Sequence, residues 1–320
     1  MNRLLISGTS SNCGKTTITM ALLAAFKQRG LDIASFKSGP DYIDPMFHRK
    51  VFDVETHNLD PYFCDEKALC ELFVRNCGND LSIIEGAMGF YDGIGVEGRA
   101  SAWEVAKSVK SPVILILDAK GMSNSAAAIL KGFKEYKSDS MVEGVIFNGI
   151  NEMLYPLLSG IAESAGIKPY GFLPRYDEYS IGSRNLGLIT ADEIEDIKEK
   201  INGLRLLAEK YIDLDALFEL AKSASRLDVI GDEDYLDKSN VLDKSEEGLL
   251  DKSNVDVLDK SEGDPSDTGE DTGYEKSKIR IAVSRDKAFC FMYEENIEIL
   301  EDLGCEIAYF SPLEDERLPE

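Results

Sequence analysis

The run Gly8-Thr-Ser-Ser-Asn-Cys-Gly14-Lys15-Thr16-Thr17 lies between an apolar stretch, Arg3–Gly8, and a segment of helical spacing, residues 14–29. A glycine loop in that place turns backbone N–H groups toward phosphate oxygens, and the helix start adds positive potential. This predicts nucleotide contacts from Thr9, Ser10, Ser11, Asn12, Cys13, Gly14, Lys15, Thr16 and Thr17. Lys15 is expected on the β- and γ-phosphates of ATP, and the Thr16 hydroxyl on Mg²⁺. A chance glycine turn does not explain strand, GKTT and helix together. The loop is long, with five residues between its glycines where the usual pattern has four.

A second group of reactive residues follows the apolar run at residues 32–38: Lys37-Ser-Gly-Pro-Asp41-Tyr42-Ile-Asp44-Pro-Met-Phe-His48. Two carboxylates three residues apart, beside a lysine, are costly to group unless a metal or substrate neutralises them. Gly-Pro-Asp is also good turn chemistry. Here the loop leaves a strand next to the phosphate loop, so Lys37 is expected to assist the γ-phosphate and Asp41 to be a second metal ligand. A third group is Ile84-Glu85-Gly-Ala-Met-Gly89-Phe-Tyr-Asp92-Gly93. Glu85 closes an apolar strand, where an acid supports Mg²⁺. Thr16, Asp41 and Glu85 together would offer hard oxygen ligands from three strand ends.

Those groups need a scaffold that gathers strand ends. Strands are expected at Arg3–Gly8, 32–38, Leu81–Glu85, Val113–Asp118, Val142–Asn148 and 170–173, and continuous apolar runs such as PVILILD fit a sheet covered on both faces. Helices are expected at 14–29, 123–136, 152–165, 191–207 and 214–224. The alternation predicts an α/β fold of the P-loop NTPase type, a mostly parallel sheet with helices on both faces. Ligands of such sheets bind beyond the carboxyl ends of the strands.

From about residue 226 the character changes. Leu236-Asp-Lys-Ser recurs at Leu242, Leu250 and Leu258, and residues 226–278 hold 17 acidic and 7 basic side chains. Such a segment has too little apolar surface to offset chain entropy, which predicts a disordered acidic linker. A new strand, helix and strand follow at 278–284, 293–303 and Glu306–Phe310, too little to bury a core of their own. The expected organisation is therefore a P-loop domain over 1–225, a linker over 226–277 and the start of a second α/β domain over 278–320.

The 320 residues carry 59 acidic and 35 basic side chains, a net charge of −24. That balance argues against nucleic acid and anionic membrane surfaces as partners. No apolar run reaches the roughly 18–20 residues of a membrane span, and the start lacks a signal peptide's apolar region. A cytoplasmic location is expected, with six cysteines kept as thiols and no C-x-x-C pair.

FKSGPDYIDPMFH, NLDPYF, EGAMGFYDG, GFLPR, RNLGL and the stretch from IAVSRDKAF to the last residue resemble the cobyrinate a,c-diamide synthases. These are P-loop amidoligases related to dethiobiotin synthetase, whose phosphate loop has the same long spacing. The resemblance implies ATP- and Mg²⁺-dependent amidation of the a and c acetates of a corrinoid, cobyrinate, with nitrogen from glutamine or ammonia. It implies that Asp41, Asp44, Glu85 and Asp92 lie at the metal, ATP and acyl-phosphate site. Either Asp44 or Asp92 could take a proton from ammonia or orient a second metal. It further implies that Tyr42 lines the site, that Asn148 contacts the adenine and that Arg184 binds substrate.

Two departures are visible. Asn185 follows Arg184 where the family has histidine, and the family's glutaminase cysteine lies beyond residue 320. A truncated class I glutaminase is the expected second domain, with a homodimer or a separate glutaminase chain as the partner. The rival substrate is nickel-sirohydrochlorin, handled by enzymes with nearly the same motifs. A P-loop switch is the rival class, but switches carry a second lysine where this chain has Ser10.

Overall fold

The computed structural model describes residues 1–175, 191–227 and 279–319, without the side chains of 191–195. Seven strands form one parallel sheet: β1 (Arg3–Gly8), β2 (Ile33–Ser38), β3 (Thr56–Leu59), β4 (Leu81–Glu85), β5 (Val113–Asp118), β6 (Val142–Asn148) and β7 (Lys168–Leu173). Their order across the sheet is β3-β2-β4-β1-β5-β6-β7. β1 is the central strand, and every residue of it is buried, as a sheet covered on both faces requires.

Alternation along β1 divides the core. Leu4 and Ile6 face a layer made by α1 (Lys15–Gln28), α2 (Ile43–Phe52), α7 (Ala191–Tyr211) and α8 (Leu214–Lys222). Leu5 faces the other layer, from α3 (Glu66–Asn76), α4 (Ala102–Ser108), α5 (Ser125–Glu135) and α6 (Tyr155–Ser164). The sheet and two helical layers match the architecture expected from the apolar runs. At the amino end of the sheet Arg3 is buried, donating to the carbonyls of Val109, Lys110 and Ser225. Leu227 is also buried in the second layer, so this packing reaches two residues beyond the expected boundary at 225.

Four elements add to the sequence reading: α2, β3, α3 and α4. β3 is the short edge strand Thr-His-Asn-Leu. α2 occupies what reads in the sequence as a loop, and Asp65 starts α3 by accepting from the Ala68 N–H. Beyond the gap, β8 (Arg280–Ser284), α9 (Glu294–Asp302) and β9 (Glu306–Phe310) form a parallel βαβ unit. The acidic repeats lie outside the described residues. Among those described, no helix is long and apolar enough to cross a membrane.

Candidate active site

Sheet register builds the site. Lys37 of β2 pairs with Glu85 of β4 on one side and with Asn58 of β3 on the other. Residues paired across parallel strands project to the same face, so the lysine and the glutamate are neighbours by construction. The Lys37 Nζ lies 2.9 Å from Glu85 Oε1, 2.5 Å from Asp44 Oδ2 and 3.4 Å from Asp41 Oδ2. Glu85 is fully buried and Lys37 nearly so. Burial works against the ammonium charge, but the carboxylates of Glu85, Asp44 and Asp41 outweigh it and hold Lys37 above its ordinary range. Burial and the Glu85 charge raise Asp44 to about 6, against the opposing pull of Lys37.

α2 brings two of these acids in. Asp41 Oδ1 accepts from the N–H groups of Ile43 at 2.9 Å and Asp44 at 3.3 Å, so this side chain closes the helix start. Asp44 sits in the first turn, where a negative charge suits the helix dipole. On the same helix His48 is buried against Ser35, whose Oγ is 3.1 Å from Nδ1, and its Nε2 has no partner. Burial lowers His48 to about 4, leaving it neutral.

The phosphate loop meets this cluster through Thr16, whose hydroxyl donates to Glu85 Oε1 at 2.6 Å. Gly14 has φ 102° at the head of α1, and no side chain caps the helix. The first N–H groups of α1 therefore stand ready for an anion. The Lys15 ammonium donates to the Ser10 carbonyl at 2.9 Å. Burial lowers its pKa. Asn148 ends β6 against the loop, donating from Nδ2 to the Cys13 carbonyl at 2.9 Å. From β4 the chain turns back on the loop, with the Phe90 N–H on the Gly8 carbonyl at 2.9 Å. Asp92 is exposed and accepts from the Gly89 N–H at 3.0 Å, closing that turn.

Lys37, Asp41, Asp44, Glu85 and Thr16 are thus brought together. Asp92 stands on the neighbouring turn and is joined to them by backbone. Arg184 and Asn185 lie outside the described residues. Tyr42 is half-buried, with its ring 4.9 Å from that of Tyr293 and stacked on it. It helps to line a cavity of about 380 Å³ with Asn58, Asp60, Phe63, Tyr293 and Glu295.

Fit for a nucleotide and its magnesium rests on two observations: the uncapped helix start and the buried, unpartnered Oε2 of Glu85. Among the described residues no three His, Cys, Asp or Glu side chains are arranged as a metal cage. Magnesium seldom needs one, since it takes one or two protein oxygens and fills its shell with phosphate and water. Thr16 and Glu85 fit that pattern better than Asp41, which is committed to the α2 start and to Lys37.

Residues 4–188 match the model of the CobQ/CobB/MinD/ParA nucleotide binding domain. The chain belongs to this family. Its phosphate loop, Lys37, Asp41, Asp44, Glu85 and Asp92 all fall within the matched residues. The whole chain is 36% identical over 320 residues to cobyrinate a,c-diamide synthase of Clostridium tetani, covering 63% of that protein. It is 35% identical over 323 residues to the protein of the same name from Clostridium acetobutylicum, covering 64% of it. The chain therefore spans just under two thirds of the length of these curated relatives.

Asn58, Asp60, Tyr293 and Glu295 are site neighbours to which sequence reasoning gave no role. The motif NLDPYF contains the first two and was a visible signal. The other two fall in the resembling stretch after IAVSRDKAF, but no pattern there ties them to β3, from which they lie more than 230 residues along the chain.

Proposed function

We propose that the chain is the nucleotide-driven, carboxylate-activating part of a cobyrinate a,c-diamide synthase working in the cytoplasm. The observation that carries this reading is Lys37, held between Glu85 and Asp44 beside the phosphate loop. An ammonium fixed there can screen a substrate carboxylate as it approaches another anion. The names of the curated relatives support the corrinoid as substrate.

In the proposed reaction an acetate oxygen of the corrinoid attacks the γ-phosphorus of ATP. The bond from phosphorus to the bridging oxygen breaks, giving acyl phosphate and ADP. Ammonia then attacks the acyl carbon, phosphate leaves with the C–O electron pair, and a base takes the surplus proton to leave the amide. Bound Mg²⁺, held by Thr16 and Glu85, would supply charge screening at the phosphates. Lys15 binds the phosphate oxygens, and Lys37 orients the entering carboxylate. Asp44, already near neutral in pKa and within reach of Lys37, is suited to accept the ammonia proton; Asp92 is the other candidate base. Asn148 is assigned to the adenine side of the nucleotide, and Arg184 to the substrate.

The test is amidation of cobyrinate by the purified chain with ATP, Mg²⁺ and ammonium, read by mass spectrometry. Product that requires ATP and disappears in Lys15→Ala supports the reading; amidation retained by Lys15→Ala removes the phosphate loop from the mechanism. Turnover of nickel-sirohydrochlorin alone would transfer the assignment to that macrocycle. ATP-dependent dimerisation without any amide product would instead indicate a switch.

A further inference from the structure

The βαβ unit at residues 279–319 meets the site-bearing sheet at its edge strand β3. Glu295, in the first turn of α9, is buried there although it lies 237 residues from Asn58. Its Oε1 accepts from the Asn58 N–H at 2.9 Å and lies 3.1 Å from His57 Nδ1. An edge strand leaves such N–H groups unpaired, so the carboxylate supplies the acceptor that an eighth strand would have offered. Burial alone would raise Glu295, yet the bonds from His57 and the Asn58 N–H hold it below the ordinary carboxylate range.

Asn58 passes this contact on. Its Nδ2 donates to the carbonyls of Gly39 and Asp41, each at 2.9 Å. Those carbonyls frame the turn that carries Asp41 and Asp44 to Lys37. A second contact reaches the same turn from outside: Tyr293 stacks on Tyr42 and donates its hydroxyl to Asp60 Oδ2 at 3.0 Å. Phe291 adds a third ring 5.6 Å from Tyr42. The turn is therefore gripped on its backbone through Asn58 and on its side chain at Tyr42, both from residues of the distant unit.

We propose that Glu295 and Tyr293 are positioning residues of the carboxylate site: the 279–319 unit buttresses the 39–44 turn and so sets where Asp41 and Asp44 stand around Lys37. Simple docking would need only peripheral ion pairs, such as Arg75 with Asp302 at 2.5 Å. It would not need a buried carboxylate aimed at a backbone amide of the strand that pairs with Lys37. The kinetic consequence rests on the amidation reading above, whereas the structural consequence does not.

The experiment compares Glu295→Ala, Glu295→Gln and Tyr293→Ala in the full chain. Amide hydrogen exchange is followed at residues 41–44, with β1 amides reporting global folding. Glu295→Ala is expected to speed exchange at 41–44 by about tenfold or more, as loss of a buried acceptor implies, with β1 unchanged. Glu295→Gln keeps an acceptor oxygen and should restore protection. Tyr293→Ala should loosen the same amides and no others, which keeps the proposal testable if Glu295→Ala fails to fold. In amidation assays the corrinoid KM should rise about fivefold or more in Glu295→Ala, while the KM for ATP stays within about twofold. Wild-type exchange at 41–44 in folded Glu295→Ala or Tyr293→Ala, or equal loosening of the 14–17 amides, overturns the proposal. If the wild-type chain amidates nothing, the functional reading fails and the exchange comparison still decides the buttress.

Discussion

Lys37 and Glu85 face each other across adjacent parallel strands, and the 2.9 Å between ammonium and carboxylate joins the two acidic motifs of the chain. Oε1 of the same glutamate also accepts the Thr16 hydroxyl, so the phosphate loop and the carboxylate site share one oxygen. A charge change at either side is felt at the other.

Replacing Lys37 by methionine leaves Glu85, Asp44 and Asp41 buried or half-buried without their common cation. Breaking a buried pair in this way costs about 3–5 kcal/mol, so Lys37→Met should lower the urea midpoint sharply. Adding Asp44→Asn to that variant removes one stranded charge and should recover part of the loss. Equal midpoints for wild type and Lys37→Met would mean that the cluster is neutralised in some other way.

Asp44 bears on the rate. Its carboxyl is raised to about 6, and the ionised form is the one that can take a proton. Amidation should therefore rise with pH through about 6, and Asp44→Asn should remove that limb and slow turnover by about a hundredfold. A limb that survives in Asp44→Asn belongs to another group.

His48 bears on stability. Its pKa is about 4 in the folded chain against an ordinary 6.5. Between those values the unfolded chain binds a proton that the native chain does not, so stability falls as pH drops through the window. The full contribution is as much as about 3 kcal/mol. Asp44, which faces His48 along with Asp41 and Lys37, acts in the opposite sense because its folded pKa is raised. Subtracting the pH profile of His48→Gln from that of wild type isolates the histidine; a flat difference across pH 4–6.5 would contradict its buried neutral state.

Gly14 bears on the nucleotide. At φ 102° an alanine would be strained, and its Cβ would run into the Asn148 amide. The backbone cost alone is about 1–2 kcal/mol. Gly14→Ala should weaken ATP binding about tenfold or more by calorimetry. Adding Asn148→Ala relieves the contact but not the backbone, so recovery should be partial. Full recovery would assign the whole effect to the side chain.

The strands were readable because both faces of this sheet are covered, which makes β5 a nearly unbroken hydrophobic run and leaves short apolar cores in β1, β4 and β6. β3 carries no such signal, because His57 and Asn58 sit in a four-residue strand without an apolar run. α2 was hidden by Pro45 and its acids, which read as loop chemistry although proline is tolerated in a first helical turn. Lys37, Asp41, Asp44, Glu85 and Thr16 stand out in the sequence by type and spacing, while their mutual arrangement does not. Lys37 meets Glu85 through strand register, and Glu295 meets Asn58 across 237 positions. Neither relation leaves a local pattern.

The Arg3 guanidinium has a consequence for synthesis. One of its carbonyl partners belongs to Ser225, 222 residues later, and the bond closes the base of the central strand. At about 5–20 residues per second, the chain waits roughly 10–45 s between making the arginine and making that acceptor. Its acceptors at Val109 and Lys110 are made about halfway through that wait, and Ser225 completes the set. The strand that leads into the phosphate loop can therefore be translated first, yet it is among the last to be sealed.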